Sequence, residues 1–248
     1  MSAHKGFLTR VAAETSLPFP PVELRVLMGI EEGIRVAWKS LISDAAKHAL
    51  MHTCDEVDIN ADLELELDKT LSAKTCPVFT DEQFNAPTRS EFFNFNGEKR
   101  EKRPDLVFSL KDRRPGIDLN KYDAVFAECK IVGGKSNKNM GWYVKGGLSK
   151  FVDGDYAWAM PQALMIGYIR TMQKMPESLS EYFFKKKTGG DFNSKVYHLK
   201  GEPVMCPQSN RRNVYRVCRT VHDRSWGYPP DGTRKPGNIT IRHLWLEL

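Results

Sequence analysis

The chain has 248 residues, 41% of them hydrophobic and 27% charged, with a formal net charge of +6. This length suits one large α/β domain over residues 1–248, and a chain with this apolar share and no low-complexity stretch is not a disordered or fibrous protein. The positive balance favours a polyanionic partner. The five cysteines are odd in number and form no Cys-x-x-Cys pair, which argues for reduced thiols rather than a disulfide framework. The longest apolar stretch, Ala157 to Ile169, is interrupted by Pro161 and Gln162 and is too short to span a bilayer. With no apolar signal core at the N-terminus, the expectation is a soluble, cytoplasmic protein with no membrane partner.

Residues 1–21 end in Leu17-Pro18-Phe19-Pro20-Pro21 and read as an extended N-terminal arm. From Val22 to about Met51, Leu24, Leu27, Ile30, Ile34, Trp38 and Leu41 recur at three-to-four spacing. This predicts a helical lead-in running to about residue 55, with a break at Gly33. A second helix is predicted over Glu56 to Leu71, where Ile59, Leu63, Leu67 and Leu71 repeat every four residues between acids. Ser90 to Phe95 reads as a first strand and Asn96-Gly97 as a hairpin turn. The run Glu98-Lys99-Arg100-Glu101-Lys102-Arg103 follows, a solvated hairpin tip that also lifts four cations to where a phosphate backbone could pass.

The stretch from Arg103 to Val132 is the most informative. Leu106-Val107-Phe108-Ser109-Leu110 and Tyr122 to Val132 both read as strands rich in β-branched and aromatic residues. The second is apolar on both faces, as a covered central strand should be. Glu128 and Lys130 nevertheless sit inside it, two residues apart and therefore on one face. Burying both charges costs several kcal/mol, roughly, unless partners are present. Asp105, at the mouth of the preceding strand, is the natural third member. Two carboxylates from adjacent strands can hold a hard divalent cation, with the lysine beside them.

After this strand, residues 133–142 form a polar, Gly-rich loop whose Lys135 and Lys138 are candidate phosphate contacts; the loop lacks the Gly-x-x-x-x-Gly-Lys-Ser/Thr spacing of a nucleotide cradle. Tyr143 to Val152 is predicted helical. Its Gly146-Gly147 pair weakens the helix and signals a close approach by another group. Ala163 to Ile169 is the next buried strand, making a right-handed parallel crossover. Beyond residue 171 a short helix, Glu177 to Lys187, precedes strands at Lys195–Leu199, Asn213–Val221 and Asn238–Leu248. His222 and His243 read as structural histidines, with a base role as the alternative.

Pro104-Asp105 followed by Glu128-Cys129-Lys130, on successive strands, resembles the PD-(D/E)XK nuclease superfamily, the restriction-endonuclease-like fold. The resemblance implies an α/β core in the order αβββαβ over about residues 56–170, a mixed central sheet flanked by helices. The N-terminal helical segment and a C-terminal helix plus β-rich extension (171–248) lie outside that core. It implies Asp105 and Glu128 as metal ligands, helped by the Cys129 carbonyl and a helix acid, Glu56 ahead of Glu64. Mg²⁺ is the implied cofactor, with Mn²⁺ able to substitute, and Lys130 the third catalytic residue. The implied activity is phosphodiester hydrolysis of nucleic acid, DNA ahead of RNA, with Lys99, Arg100, Lys102, Arg103, Lys135 and Lys138 on the backbone phosphates. By analogy it suggests an endonuclease of bacterial or phage genome conflict, in restriction or anti-phage defence, as a homodimer or with a partner protein of a defence system. The competing class is a non-catalytic nucleic-acid-binding module on the same fold.

Overall fold

A computed structural model of the chain describes residues 16–97, 102–117, 119–133, 140–171, 177–188, 199–206 and 217–248. The N-terminal helices are α1 (Leu24–Ser43), α2 (Ala45–Met51) and α3 (Glu56–Ser72). Strands β1 (Leu106–Ser109) and β2 (Ala124–Val132) follow. The next helical segment, α4, begins as Met140–Tyr143, winds through π-helical Val144–Leu148 and ends as Ser149–Val152. It leads to β3 (Gln162–Ile169), α5 (Glu177–Thr188), β4 (Val204–Met205), β5 (Val217–Asp223) and β6 (Asn238–Glu247). The six strands make one mixed sheet in the order β1-β2-β3-β6-β5-β4. β2, β3 and β6 run parallel at its centre, and the remaining pairs are antiparallel. The α/β class, the parallel crossover from β2 through α4 to β3, and the terminal β5–β6 pair all match the sequence reading.

Alternation along the strands sorts the two faces. On one, Trp38 of α1 stacks on Tyr168 with ring centroids 5.4 Å apart, and the Tyr168 hydroxyl donates to Asn60 Oδ1 of α3 at 2.8 Å. Glu31 of α1 pairs with Arg242 of β6, both buried. On the other face α4 lies over β2, β3 and β6, and α5 reaches His222 through Phe183. Glu128, Lys130, Met165 and His243 belong to this second face, beneath α4. No helix among the described residues is long and apolar enough to cross a membrane.

Two expectations change. The helical lead-in continues through Gly33 and breaks at Asp44, whose carboxylate caps α2 by accepting from the Ala46 and Lys47 amides. Gly33 is there for space: a Cβ on it would lie 2.4 Å from the ring of Phe79. That ring is itself wedged against Phe84 and Phe108. Gly33→Ala gains up to ~1 kcal/mol of helix propensity but overpacks the core by roughly 1–3 kcal/mol. A net loss of stability on urea denaturation is therefore expected.

The second change concerns Ser90 to Phe95, which is not a regular strand. The segment makes a single bridge, Phe92 to Lys102, with Thr88 bridging Val107 upstream. Pro104 has no N–H to extend a ladder, and the Arg103 carbonyl is taken by the Tyr156 hydroxyl at 2.8 Å. Side chains fasten the segment instead: Phe92 packs edge-on to Phe126, and Trp158 donates to the Phe93 carbonyl at 2.9 Å. The expected first strand is therefore reduced to isolated bridges, and the described order from Glu56 to Ile169 is α3-β1-β2-α4-β3.

Candidate active site

β1 pairs with β2 only from Leu106–Ala127 to Ser109–Ala124. Beyond Ala127 no strand among the described residues lies beside the β1-side edge of β2. The N–H groups of Cys129 and Ile131 point to that edge and are buried, so each needs an acceptor. Two carboxylates supply it. Asp105, the residue before β1, accepts from the Cys129 N–H at 2.8 Å, and Glu56 accepts from the Ile131 N–H at 3.1 Å. Glu56 stands there because it opens α3, whose N-cap Asp55 accepts from the Val57 and Asp58 amides at 3.0 and 3.1 Å. Arg170, just past β3, fixes the approach to that cap by donating to the carbonyls of Met51 and Cys54.

The side chains of β2 complete the cluster. Lys130 Nζ lies 2.7 Å from Glu56 Oε1, 2.7 Å from the Cys129 carbonyl, 2.8 Å from Glu128 Oε1 and 3.8 Å from Asp105 Oδ2. Glu128, with a side chain only 1% exposed, also receives Lys150 of α4 at 2.5 Å, while its Oε2 is buried without a hydrogen-bond partner. Lys150 Nζ stands 3.3 Å from the Tyr156 hydroxyl, which holds the residue before Pro104-Asp105. Arg89 lies 4.0 Å from Asp105.

Burial dominates the electrostatics. It pushes the Glu128 carboxyl up to about 7, with Asp105 adding to the rise and the two lysines opposing it. Burial also raises Asp105, against the pull of Lys130 and the Cys129 N–H. For Lys130, burial works downward, but Glu128, Asp105 and Glu56 outweigh it and hold the ammonium above the ordinary lysine range. Both directions are consistent: the lysine is shared among three carboxylates, whereas Glu128 is almost fully removed from water. Lys130 is therefore held in its charged form at neutral pH.

The sequence-derived candidates Asp105, Glu128, Cys129, Lys130 and Glu56 thus meet at one point. Glu64, the reserve helix acid, is tied to Arg89, the cation beside Asp105; burial raises its carboxyl and Arg89 opposes the rise. Lys102 pairs with Asp155 at 2.7 Å and Arg103 with Glu91. Lys99, Arg100, Lys135 and Lys138 lie outside the described residues. Tyr143 is buried and its hydroxyl meets His243 Nδ1 at 3.0 Å, while Trp142 at the start of α4 is about half exposed. His243 Nε2 meets Thr220 at 2.8 Å, Thr220 meets His222 at 2.7 Å, and both histidines are buried: a structural network. Burial pushes His243 down to about 3. Lys150, Tyr156 and Arg89 were not singled out for the site by the sequence. The available signal was Gly146-Gly147: a Cβ on Gly147 would lie 2.6 Å from Met165 Cε and 3.2 Å from Lys130 Cγ. That closeness lowers α4 onto β2 and brings Lys150, one turn on, to Glu128.

Among the described residues no group of three or more His, Cys, Asp or Glu side chains is drawn in tightly enough to hold a metal ion; the carboxylates stand around the Lys130 ammonium. Their chemistry still suits a hard divalent cation, since Asp105, Glu128 and the Cys129 carbonyl offer only oxygen and Glu128 Oε2 has no partner. Comparisons with protein-family models, with curated proteins and with solved structures each returned no match.

Proposed function

We propose that this chain is a metal-dependent nuclease of the PD-(D/E)XK kind, hydrolysing phosphodiester bonds of nucleic acid, with DNA ahead of RNA. The observation that carries the reading is the convergence of Asp105, Glu128, Lys130 and the Cys129 carbonyl on the edge of β2 that β1 leaves uncovered. Asp105 and Glu128, with the Cys129 carbonyl, would hold Mg²⁺ or Mn²⁺, and Glu56 would keep the N-terminus of α3 on the same edge. A divalent ion there polarises a phosphate and lowers the pKa of bound water. Lys130, held protonated, donates to the attacking water or to the charge that develops on the phosphoryl oxygens. Arg89 adds a positive charge beside Asp105 for an incoming phosphate. A role in restriction or anti-phage defence rests on the family resemblance alone.

A second reading has one observation in its favour. The Lys130 ammonium already fills the space between the carboxylates, as it would in a nuclease-like module that grips nucleic acid without cleaving it. Incubation of the purified chain with supercoiled plasmid, linear duplex, single-stranded DNA and RNA, in Mg²⁺ or EDTA, separates the two. Metal-dependent cleavage, strongest on DNA, is the expected result. Retention of nucleic acid in a shift assay with no cleavage in Mg²⁺ or Mn²⁺ would favour the binding module.

A further inference from the structure

Glu128 Oε1 accepts from two ammonium groups at once, Lys130 at 2.8 Å and Lys150 at 2.5 Å, and its second oxygen is buried without a partner. Lys130 is held on three other sides, by Glu56, Asp105 and the Cys129 carbonyl. Lys150 is held less closely: among the described residues its ammonium meets, besides Glu128, the Tyr156 hydroxyl at 3.3 Å and the face of that ring at 5.3 Å, it acts on Asp105 only through the field, and 31% of its side chain is exposed. Its place is built rather than incidental. The π-helical turn and the close seat of Gly147 on Lys130 and Met165 set the height of α4, and π turns concentrate at functional sites.

Resting on the nuclease reading, we propose that Lys150 is the exchangeable counter-ion of Glu128: it neutralises the buried carboxylate in the metal-free protein and yields it to the incoming divalent cation. Three carboxylates (Glu56, Asp105, Glu128) face two lysines, a cluster of net charge −1 that a divalent cation would turn to +1 if both ammonium groups stayed, whereas release of one restores neutrality. One lysine must withdraw, and Lys150 has the fewest ties and the shortest path to solvent. Lys130 remains to act on the reacting phosphate. Lys150 thereby sets metal affinity without being a ligand.

The test is calorimetric titration of Mn²⁺ into wild type, Lys150→Met, Lys150→Arg and Glu128→Gln. Removing the competing charge should tighten Mn²⁺ binding about tenfold in Lys150→Met, whereas Lys150→Arg, which keeps the charge, should bind as wild type does. A lysine that merely supports the fold would give the opposite result in Lys150→Met, with weaker or unchanged affinity, and that would overturn the inference. Glu128→Gln separates the levels. If it abolishes Mn²⁺ binding while Lys150→Met leaves affinity unchanged, the metal centre stands and the counter-ion role falls. If the wild type takes up no Mn²⁺, both fall.

Discussion

Asp105→Asn and Glu128→Gln should each lower Mg²⁺-dependent cleavage by about three orders of magnitude or more, because each removes a charged oxygen ligand from the cation. Both replacements keep the local geometry. An asparagine at 105 can still accept from the Cys129 N–H, and a glutamine at 128 can still receive a lysine. Loss of activity with an unchanged circular dichroism spectrum is therefore the expected pairing. Lys130→Met should lose a comparable factor while retaining Mn²⁺ binding, since a protonated donor and not a ligand is removed. Wild-type turnover by any of the three would place the chemistry elsewhere.

The second large effect is on stability, and its sign follows from the direction of the shifts. Glu128 has a folded-state pKa of about 7 against an ordinary 4.5. Its contribution to stability is fully present below about pH 4.5 and is lost as pH rises through 7. Asp105 is raised too and has the same sign. Lys130 is also raised, but its contribution is lost only above the ordinary lysine range, outside this window. The metal-free wild type should therefore lose on the order of 3 kcal/mol between about pH 5 and pH 8 through Glu128. Glu128→Gln should remove most of that slope in urea denaturation with EDTA present. Lys130→Met should behave oppositely, costing roughly 3–5 kcal/mol at pH 8, where Glu56, Asp105 and Glu128 lose their shared counter-ion, and less at pH 5, where Glu128 takes up a proton. A slope unchanged in Glu128→Gln would mean that this carboxylate is not the titrating group.

Side chains that the structure brings together are legible in the sequence where chemistry and periodicity coincide. Glu128 and Lys130 stand out because a strand apolar on both faces has no ordinary use for charge, and strand alternation puts them on one face. Asp105 and Glu56 were legible from position, one opening a strand and the other opening a helix behind an acidic cap. What stayed hidden depends on packing between distant segments. Gly33 reads as a helix breaker until Phe79 is seen against it. Ser90 to Phe95 has strand composition, yet Pro104 and the Tyr156 hydroxyl remove the backbone partners a ladder needs. Lys150 looks like any lysine flanking an amphipathic helix, because its meeting with Glu128 is set by the seat of Gly147 on the sheet.

A divalent-cation centre formed by Asp105 and Glu128 beside Lys130 would register in thermal melts at pH 7.5 with EDTA or Mn²⁺. At a cation concentration about a hundredfold above its dissociation constant, linkage stabilises the native state by about 2.7 kcal/mol, a rise of roughly 5–10 °C for a chain of this size. Asp105→Asn should melt at or above the wild-type temperature without metal, since it relieves a buried carboxylate, and should lose most of the Mn²⁺-induced rise. A wild type whose melting temperature does not respond to Mn²⁺ or Mg²⁺ would mean that no such centre forms, and an Asp105→Asn variant that keeps the full rise would mean that Asp105 is not a ligand.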